Sequence, residues 1–126
     1  MSGWLLVVED DPDGRELLTE LLAVSGLDVV ACGSGSEAAS TLDSRGKPNL
    51  VLTDLALPDM AGSAFVAGMR NRPGFEIVPV VFVTGTEPSL LEEIRDPILR
   101  KPIDVDQLLD LVALHSQGET PGTSLE

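Results

Sequence analysis

The stretch Leu50-Val51-Leu52-Thr53-Asp54 places a short run rich in Leu and Val directly before an acidic residue. Such a run is typical of a buried strand in a parallel sheet, because both faces of that strand are covered. The carboxylate that follows would emerge at the carboxyl end of the strand, where open α/β sheets carry their reactive groups. The pattern therefore predicts a strand over residues 50–53 and a chemical role for Asp54.

Similar apolar runs recur along the chain and alternate with stretches of helical spacing. The predicted strands cover residues 4–8, 27–31, 50–53, 77–83 and, more weakly, 97–99. The predicted helices run from Asp11 to just before Gly26 and over residues 36–42, 63–70, 89–94 and 104–115. Strands that alternate with helices pack as a parallel sheet covered on both faces. The fold class is therefore α/β, a three-layer α/β/α sandwich with five parallel strands.

Length and composition predict a cytoplasmic globular domain over residues 1–115. The chain has 126 residues, 43% of them apolar, and no apolar run that approaches the length of a membrane span. Its single cysteine, Cys32, cannot form a disulfide within the chain. Residues 116–126 are rich in Gly, Pro, Ser and Thr, which predicts a flexible tail or linker.

The net charge of −13 limits the partners that the chain can bind. A surface this negative repels phosphate backbones and anionic lipids, so we expect neither nucleic acid nor membrane as a partner. An acidic chain can still hold a divalent cation where several carboxylates converge.

Polar residues follow the ends of the predicted strands, and these ends meet at one edge of the sheet. They are Glu9, Asp10 and Asp11 after the first strand, Asp54 after the third, Thr84 at the end of the fourth and Lys101 after the fifth. Converging carboxylates repel one another unless a cation lies among them, and an all-oxygen cluster suits Mg²⁺. A carboxylate in this setting can attack a phosphoryl donor and form an acyl phosphate, while Lys101 neutralises the transferring oxygens.

This arrangement resembles the receiver domain of bacterial response regulators over residues 4–115. The stretch Val7-Val8-Glu9-Asp10-Asp11 is similar to the acidic pair of that family, and residues 54–62 are similar to its phosphorylation loop. The resemblance implies a flavodoxin-like sheet of strand order 2-1-3-4-5. It also implies Asp54 as the phosphoacceptor and an Mg²⁺ ion bound by Glu9, Asp10, Asp54 and the backbone carbonyl of Ala56. Thr84 matches the switch hydroxyl, and Lys101-Pro102 matches the lysine and the cis proline after it.

The sequence departs from the family pattern around the predicted switch. Ile98 stands where receivers usually have an aromatic residue, so it is either an aliphatic switch residue or simply a core residue. Thr84 and Lys101 are only 17 positions apart, which predicts a shortened fourth helix at residues 89–94. The Phe82, Thr84 and Gly85 positions partly match a subgroup of single-domain regulators, and hybrid kinases also often carry Thr-Gly here.

The resemblance implies a partner as well as a reaction. The phosphoryl group would come from the phosphohistidine of a sensor histidine kinase or a histidine phosphotransfer protein, docked on the first helix around residues 17–22. The output would be binding to a downstream protein, by a stand-alone regulator or shuttle. Two alternatives remain open: a receiver cut from a hybrid kinase or longer regulator, and a binding module that is not phosphorylated.

Two rival enzyme classes have partial signatures in the chain. Residues 33–38 spell a dinucleotide-binding fingerprint between a strand and a helix, but in the second such unit instead of the first. We explain it as a turn capped by Ser36. A haloacid-type phosphatase also uses an aspartyl nucleophile, but it needs a second acid two positions later, where this chain has Ala56.

Overall fold

Five short strands lie side by side, all parallel, in the order β2-β1-β3-β4-β5. This computed structural model describes residues 3–85 and 96–116. The strands are β1 (Trp4–Val8), β2 (Asp28–Cys32), β3 (Leu50–Asp54), β4 (Val80–Thr84) and β5 (Ile98–Arg100). The described helices are α1 (Pro12–Leu22), α2 (Gly35–Arg45), α3 (Gly62–Arg70) and α4 (Val105–Ser116). The predicted fold class and strand order are both confirmed.

The central strand β1 shows why the chain forms three layers. All five of its residues are buried, and successive side chains of a strand point to opposite faces. Trp4, Leu6 and Val8 join the core cluster that contains residues of α2 and α3. Leu5 and Val7 join a second cluster with residues of α1 and α4. Full burial of one such aliphatic side chain stabilises the fold by about 1.5–3 kcal/mol, so both layers contribute.

The helix ends follow the capping signals of the sequence. The Asp11 side chain accepts a hydrogen bond from the Gly14 N–H (3.0 Å) before Pro12 opens α1. A 3-10 turn (Ala23–Ser25) follows α1, and Gly26 ends it at a φ of 82°, a left-handed value that favours glycine. The Asp104 side chain accepts from the Gln107 N–H (3.1 Å) at the start of α4.

Several boundaries differ from the prediction. The fourth strand begins at Val80 and not at Ile77, whose side chain is 72% exposed. The Val78 N–H donates to the Phe75 carbonyl (3.1 Å), so the preceding residues form a turn, and Pro79 has no N–H for a sheet ladder. Strands β2 and β5 lie one residue later than predicted, and α2 is longer at both ends. The predicted helix at residues 89–94 and the tail beyond Ser116 lie outside the described residues.

An ion pair anchors the entry to β5. Arg70, the last residue of α3, donates to both carboxylate oxygens of Asp96 (3.0 and 3.2 Å) and to the carbonyl of Val78 (3.0 Å). The pair is half-buried, with side-chain exposures of 31% and 24%. Bidentate arginine–carboxylate contacts fix geometry as well as charge, so this pair holds the start of β5 against the end of α3.

None of the described helices has both the length and the apolar character to cross a bilayer.

Candidate functional site

The carboxyl ends of β1 and β3 bring three acidic side chains together. The two strands are neighbours with Val8 opposite Thr53, so the residues that follow, Glu9 and Asp54, lie side by side. Glu9, Asp10 and Asp54 each offer a carboxylate oxygen, and these oxygens lie within 4.8 Å of one another. Asp10 is exposed, Asp54 is half-buried and Glu9 is buried. The expected convergence of these residues is therefore present in the structure.

Lys101 lies against the same cluster. Its Nζ is 3.1 Å from Glu9 Oε1 and 3.1 Å from Asp54 Oδ2. Partial burial lowers the pKa of Lys101, but its hydrogen bonds to Asp54 and Glu9 and the two negative charges outweigh this, so the net pKa is raised. The ammonium thus stays charged and offsets part of the repulsion between the carboxylates. The peptide bond between Lys101 and Pro102 is cis, in agreement with the prediction.

The buried residue Glu9 is held by further hydrogen bonds, one to its carboxylate and two to its backbone. The Asp11 N–H donates to Glu9 Oε2 (3.2 Å), and Nη1 of Arg15 donates to the Glu9 carbonyl (3.0 Å). The Glu9 N–H donates to the carbonyl of Cys32 in β2 (2.9 Å). A buried carboxylate requires partners, which for Glu9 are the Asp11 N–H and Lys101 Nζ. Asp11, the third acid of the motif, caps α1 and is not part of the cluster.

Thr84 and Ile98 lie on adjacent strands beside the cluster. Thr84 is buried at the end of β4, and its carbonyl accepts a hydrogen bond from the Lys101 N–H (2.9 Å). Ile98 lies opposite Phe82 in the β4–β5 register and packs, partly buried, on the core beneath α2 and α3. This position favours the interpretation of Ile98 as a core residue.

The loop from Asp54 to Gly62 is folded tightly over the cluster. The Ala56 N–H lies 3.4 Å from Asp54 Oδ1. The Gly62 N–H donates to Leu55 (2.7 Å) and the Leu57 N–H to Met60 (3.1 Å), so Ala56 and Ala61 form an isolated antiparallel bridge. These bonds use the carbonyls of Leu55 and Met60 and do not use the carbonyl of Ala56, which was the predicted metal ligand.

Gly62 and Asp59 are site residues whose importance the sequence did not reveal. A Cβ at Gly62 would overlap the backbone carbonyl oxygen of Asp54, so only glycine fits. The Asp59 carboxylate accepts hydrogen bonds from the N–H groups of Gly35 and Ser36 at the start of α2, both at 2.9 Å. The Gly35 and Ser36 bonds lower the pKa of Asp59, although the side chain is exposed. Asp59 therefore ties the loop to α2.

The same contacts argue against dinucleotide binding. The first N–H groups of α2, which such a fingerprint would offer to a pyrophosphate, already donate to Asp59. Ser34 caps this helix by accepting from the Glu37 N–H (3.1 Å), so the prediction of Ser36 as the cap was wrong. The serine of the fingerprint thus caps the helix, and Gly35, the first helical residue, allows close packing, since Met60 lies directly against it.

Comparisons with known proteins agree with this geometry. The chain matches the family model of the response regulator receiver domain over residues 5–113. It is 35% identical to a 14.6 kDa protein from the sodA1 3′ region of Leptolyngbya boryana, with 86% of each chain covered. It is also 35% identical to response regulator FleR of Pseudomonas aeruginosa, where the match covers 98% of this chain and 26% of FleR.

Solved structures also show similarity to receiver domains. A CheY-like response regulator receiver domain from Methylobacillus flagellatus superposes with a TM-score of 0.77 at 31% identity, covering 90% of this chain and 98% of the other. The family model covers most of the chain, including all three residues of the acidic cluster. The chain therefore belongs to the family of response regulator receiver domains.

Proposed function

We propose that this receiver domain accepts a phosphoryl group on Asp54 from a phosphohistidine. The observation that carries the proposal is the position of Asp54 in a cluster of three carboxylates, with Lys101 Nζ at 3.1 Å. A carboxylate oxygen of Asp54 attacks the phosphorus, the P–N bond to the donor histidine breaks, and its electron pair leaves with the imidazole nitrogen. The product is an acyl phosphate, which hydrolysis later returns to the carboxylate and inorganic phosphate.

The donor atoms of the cluster fit Mg²⁺. All are oxygens, and a small divalent cation among three carboxylates relieves their repulsion. Glu9, Asp10 and Asp54 would hold the ion with the carbonyl of Ala56. When bound, the metal supplies positive charge to the oxygens of the transferring phosphoryl group.

The chain's own residues complete the electrostatic part of the reaction. Lys101 already pairs with Asp54, so its ammonium is placed to stabilise the negative oxygens of the transferred group. We assign the Thr84 hydroxyl as a further donor that responds to phosphorylation. Ile98 stands where receivers usually have the aromatic partner in that response, but it packs on the core, so we assign it a structural role.

The partner that supplies the phosphoryl group is a sensor histidine kinase or a histidine phosphotransfer protein. Helix α1 buries Leu18 and Leu22 in the core and leaves Leu17 52% exposed, so we place the docking surface on this helix. The output is protein binding, as a stand-alone regulator or shuttle, in a cytoplasm where a free thiol such as Cys32 stays reduced. A receiver within a hybrid kinase or longer regulator uses the same site.

Intact-mass analysis after incubation with acetyl phosphate and Mg²⁺ tests the proposal. We expect one added phosphoryl group, lost with chelator and in Asp54→Asn. The matched control is Asp11→Asn, which removes one nearby charge while asparagine remains a good helix cap, and it should still be modified. An adduct that persists in Asp54→Asn would refute the assignment of the acceptor. The absence of any adduct, from acetyl phosphate and from a panel of histidine kinases, would favour the unphosphorylated binding module.

A further inference from the structure

A polar pocket lies at the end of the sheet opposite to the acidic cluster. It has a volume of about 390 Å³ and is lined by Gly3, Trp4, Asp28, Arg45, Lys47 and Asn49. These residues come from the start of β1, the start of β2 and the connection between α2 and β3. Trp4 lies opposite Asp28 in the sheet register, and the Asn49 N–H donates to the Trp4 carbonyl (2.8 Å). We call this site the amino-end pocket.

Trp4 gives the amino-end pocket a buried donor with no acceptor. The residue is 6% exposed, and its indole Nε1 has no hydrogen-bond partner in the described part of the chain. A buried N–H without an acceptor is rare in folded proteins. The guanidinium carbon of Arg45 lies 4.8 Å from the centre of the indole ring, so a cation covers the ring face.

The charges around the amino-end pocket are unbalanced toward the positive. Arg45 makes one contact of 3.3 Å with Asp28, whose side chain is 76% exposed and easily displaced. Among the residues described, Lys47 has no carboxylate within ion-pair distance. Arg45 and Lys47 thus line the pocket with one exposed carboxylate, in a chain whose net charge is −13. These two side chains can donate to an acceptor that carries negative charge.

We propose that the amino-end pocket binds a small oxyanion, either a phosphate or a carboxylate group, through Lys47 and Arg45. The anion displaces the Asp28 carboxylate from Arg45 and supplies the oxygen acceptors that the pocket lacks. This site is separate from the phosphorylation site, since β1 runs the length of the sheet between Trp4 and the residue before Glu9. At about 3.3 Å per strand residue, the two sites lie on the order of 15 Å apart.

Trp4 makes the proposal directly measurable, because it is the only tryptophan and the chain has no tyrosine. We would titrate the protein with inorganic phosphate and, separately, with succinate, in chelator and at an ionic strength held constant with NaCl. Trp4 emission should change saturably with at least one of the two anions, and the two titrations distinguish phosphate from carboxylate. Amide chemical shifts recorded in parallel should move at residues 28, 45–47 and 49.

Two variants with the same loss of charge make the test specific. Lys47→Gln should weaken anion binding about tenfold, as expected for one charge-assisted contact. Arg100→Gln removes an exposed cation outside the pocket and should leave the affinity within about twofold. No saturable change with either anion, equal effects of the two variants, or shifts centred on other residues would overturn the proposal.

Discussion

The two ends of the parallel sheet carry opposite charges on the same strands. At the carboxyl end, a lysine contacts two carboxylates of a cluster of three; at the amino end, two cations and one carboxylate line a pocket. The helix dipoles explain how both are tolerated. Helices of this fold begin at the carboxyl end, where their positive ends face acids, and finish at the amino end, where Arg45 closes α2. The comparison shows that the helix termini favour acidic side chains at one end of the sheet and basic side chains at the other.

The largest effect should come from removing the lysine that contacts the acidic cluster. Lys101→Gln takes away the ammonium that contacts Asp54, so we expect the rate of phosphorylation by acetyl phosphate to fall by about 100-fold. Arg100→Gln, one residue earlier and exposed, should keep the wild-type rate. Time courses by intact mass measure both rates. Equal rates for the two variants would show that overall charge, and not the contact with Asp54, controls the reaction.

The next effect extends the comparison from charge to packing within α3. Gly62 lies at the site end of this helix, where a Cβ would overlap the Asp54 carbonyl, whereas a Cβ at Gly68 meets nothing within 4 Å. Gly62→Ala should lower the free energy of unfolding by about 2–3 kcal/mol. Gly68→Ala should raise it by about 0.5–1 kcal/mol, through helix propensity. Urea denaturation measures both; similar values would mean that the loop relaxes without cost.

The smallest effect concerns Asp59, an acid at the carboxyl end that is not part of the cluster. Asp59→Asn should slightly lower the thermal midpoint at neutral pH and weaken Mg²⁺ binding a little, because the loop that carries Ala56 is less firmly tied to α2. Asp110→Asn, an exposed change of the same charge on α4, is the control. Calorimetry and Mg²⁺ titration measure these effects. Equal thermal midpoints and Mg²⁺ affinities for the two variants would show that the contacts of Asp59 with α2 do not stabilise the loop.

The difference in stability between wild type and Asp59→Asn should depend on pH. The hydrogen bonds from Gly35 and Ser36 lower the pKa of folded Asp59 below its ordinary value of 3.8. The stabilisation is therefore fully present above that ordinary value and is lost as the pH falls through the lower, folded pKa. Wild type and Asp59→Asn should converge in stability only in strong acid. A difference that vanished near neutral pH would contradict the assignment.

The parts of this molecule that depend on local sequence were predictable. Apolar runs that end in Asp or Lys mark strand ends, so the fold and the meeting of Glu9, Asp54 and Lys101 followed from the order of the motifs. The start of the fourth strand was wrong because Ile77 is apolar yet exposed, and hydrophobicity alone cannot show this.

Contacts between distant parts of the chain were not predictable. Asp59 binds backbone groups 23 and 24 positions away, and no pattern around it indicates that partner. Gly62 is a second case, because the backbone atom that leaves no room for a side chain there belongs to another residue, Asp54. The amino-end pocket also joins residues from three separate segments, and the sequence showed Trp4 only as the start of a strand.

The Arg70–Asp96 pair bears on how this chain tolerates insertions and deletions. Asp96 stands five positions before Lys101, and Arg70 fixes it while Phe82 and Ile98 set the register of β5. The position of Lys101 is thus determined by these contacts of Asp96 and β5, and not by the number of residues that separate it from Thr84. We therefore expect that residues inserted or removed between Thr84 and Asp96 would leave Lys101 in place beside Asp54.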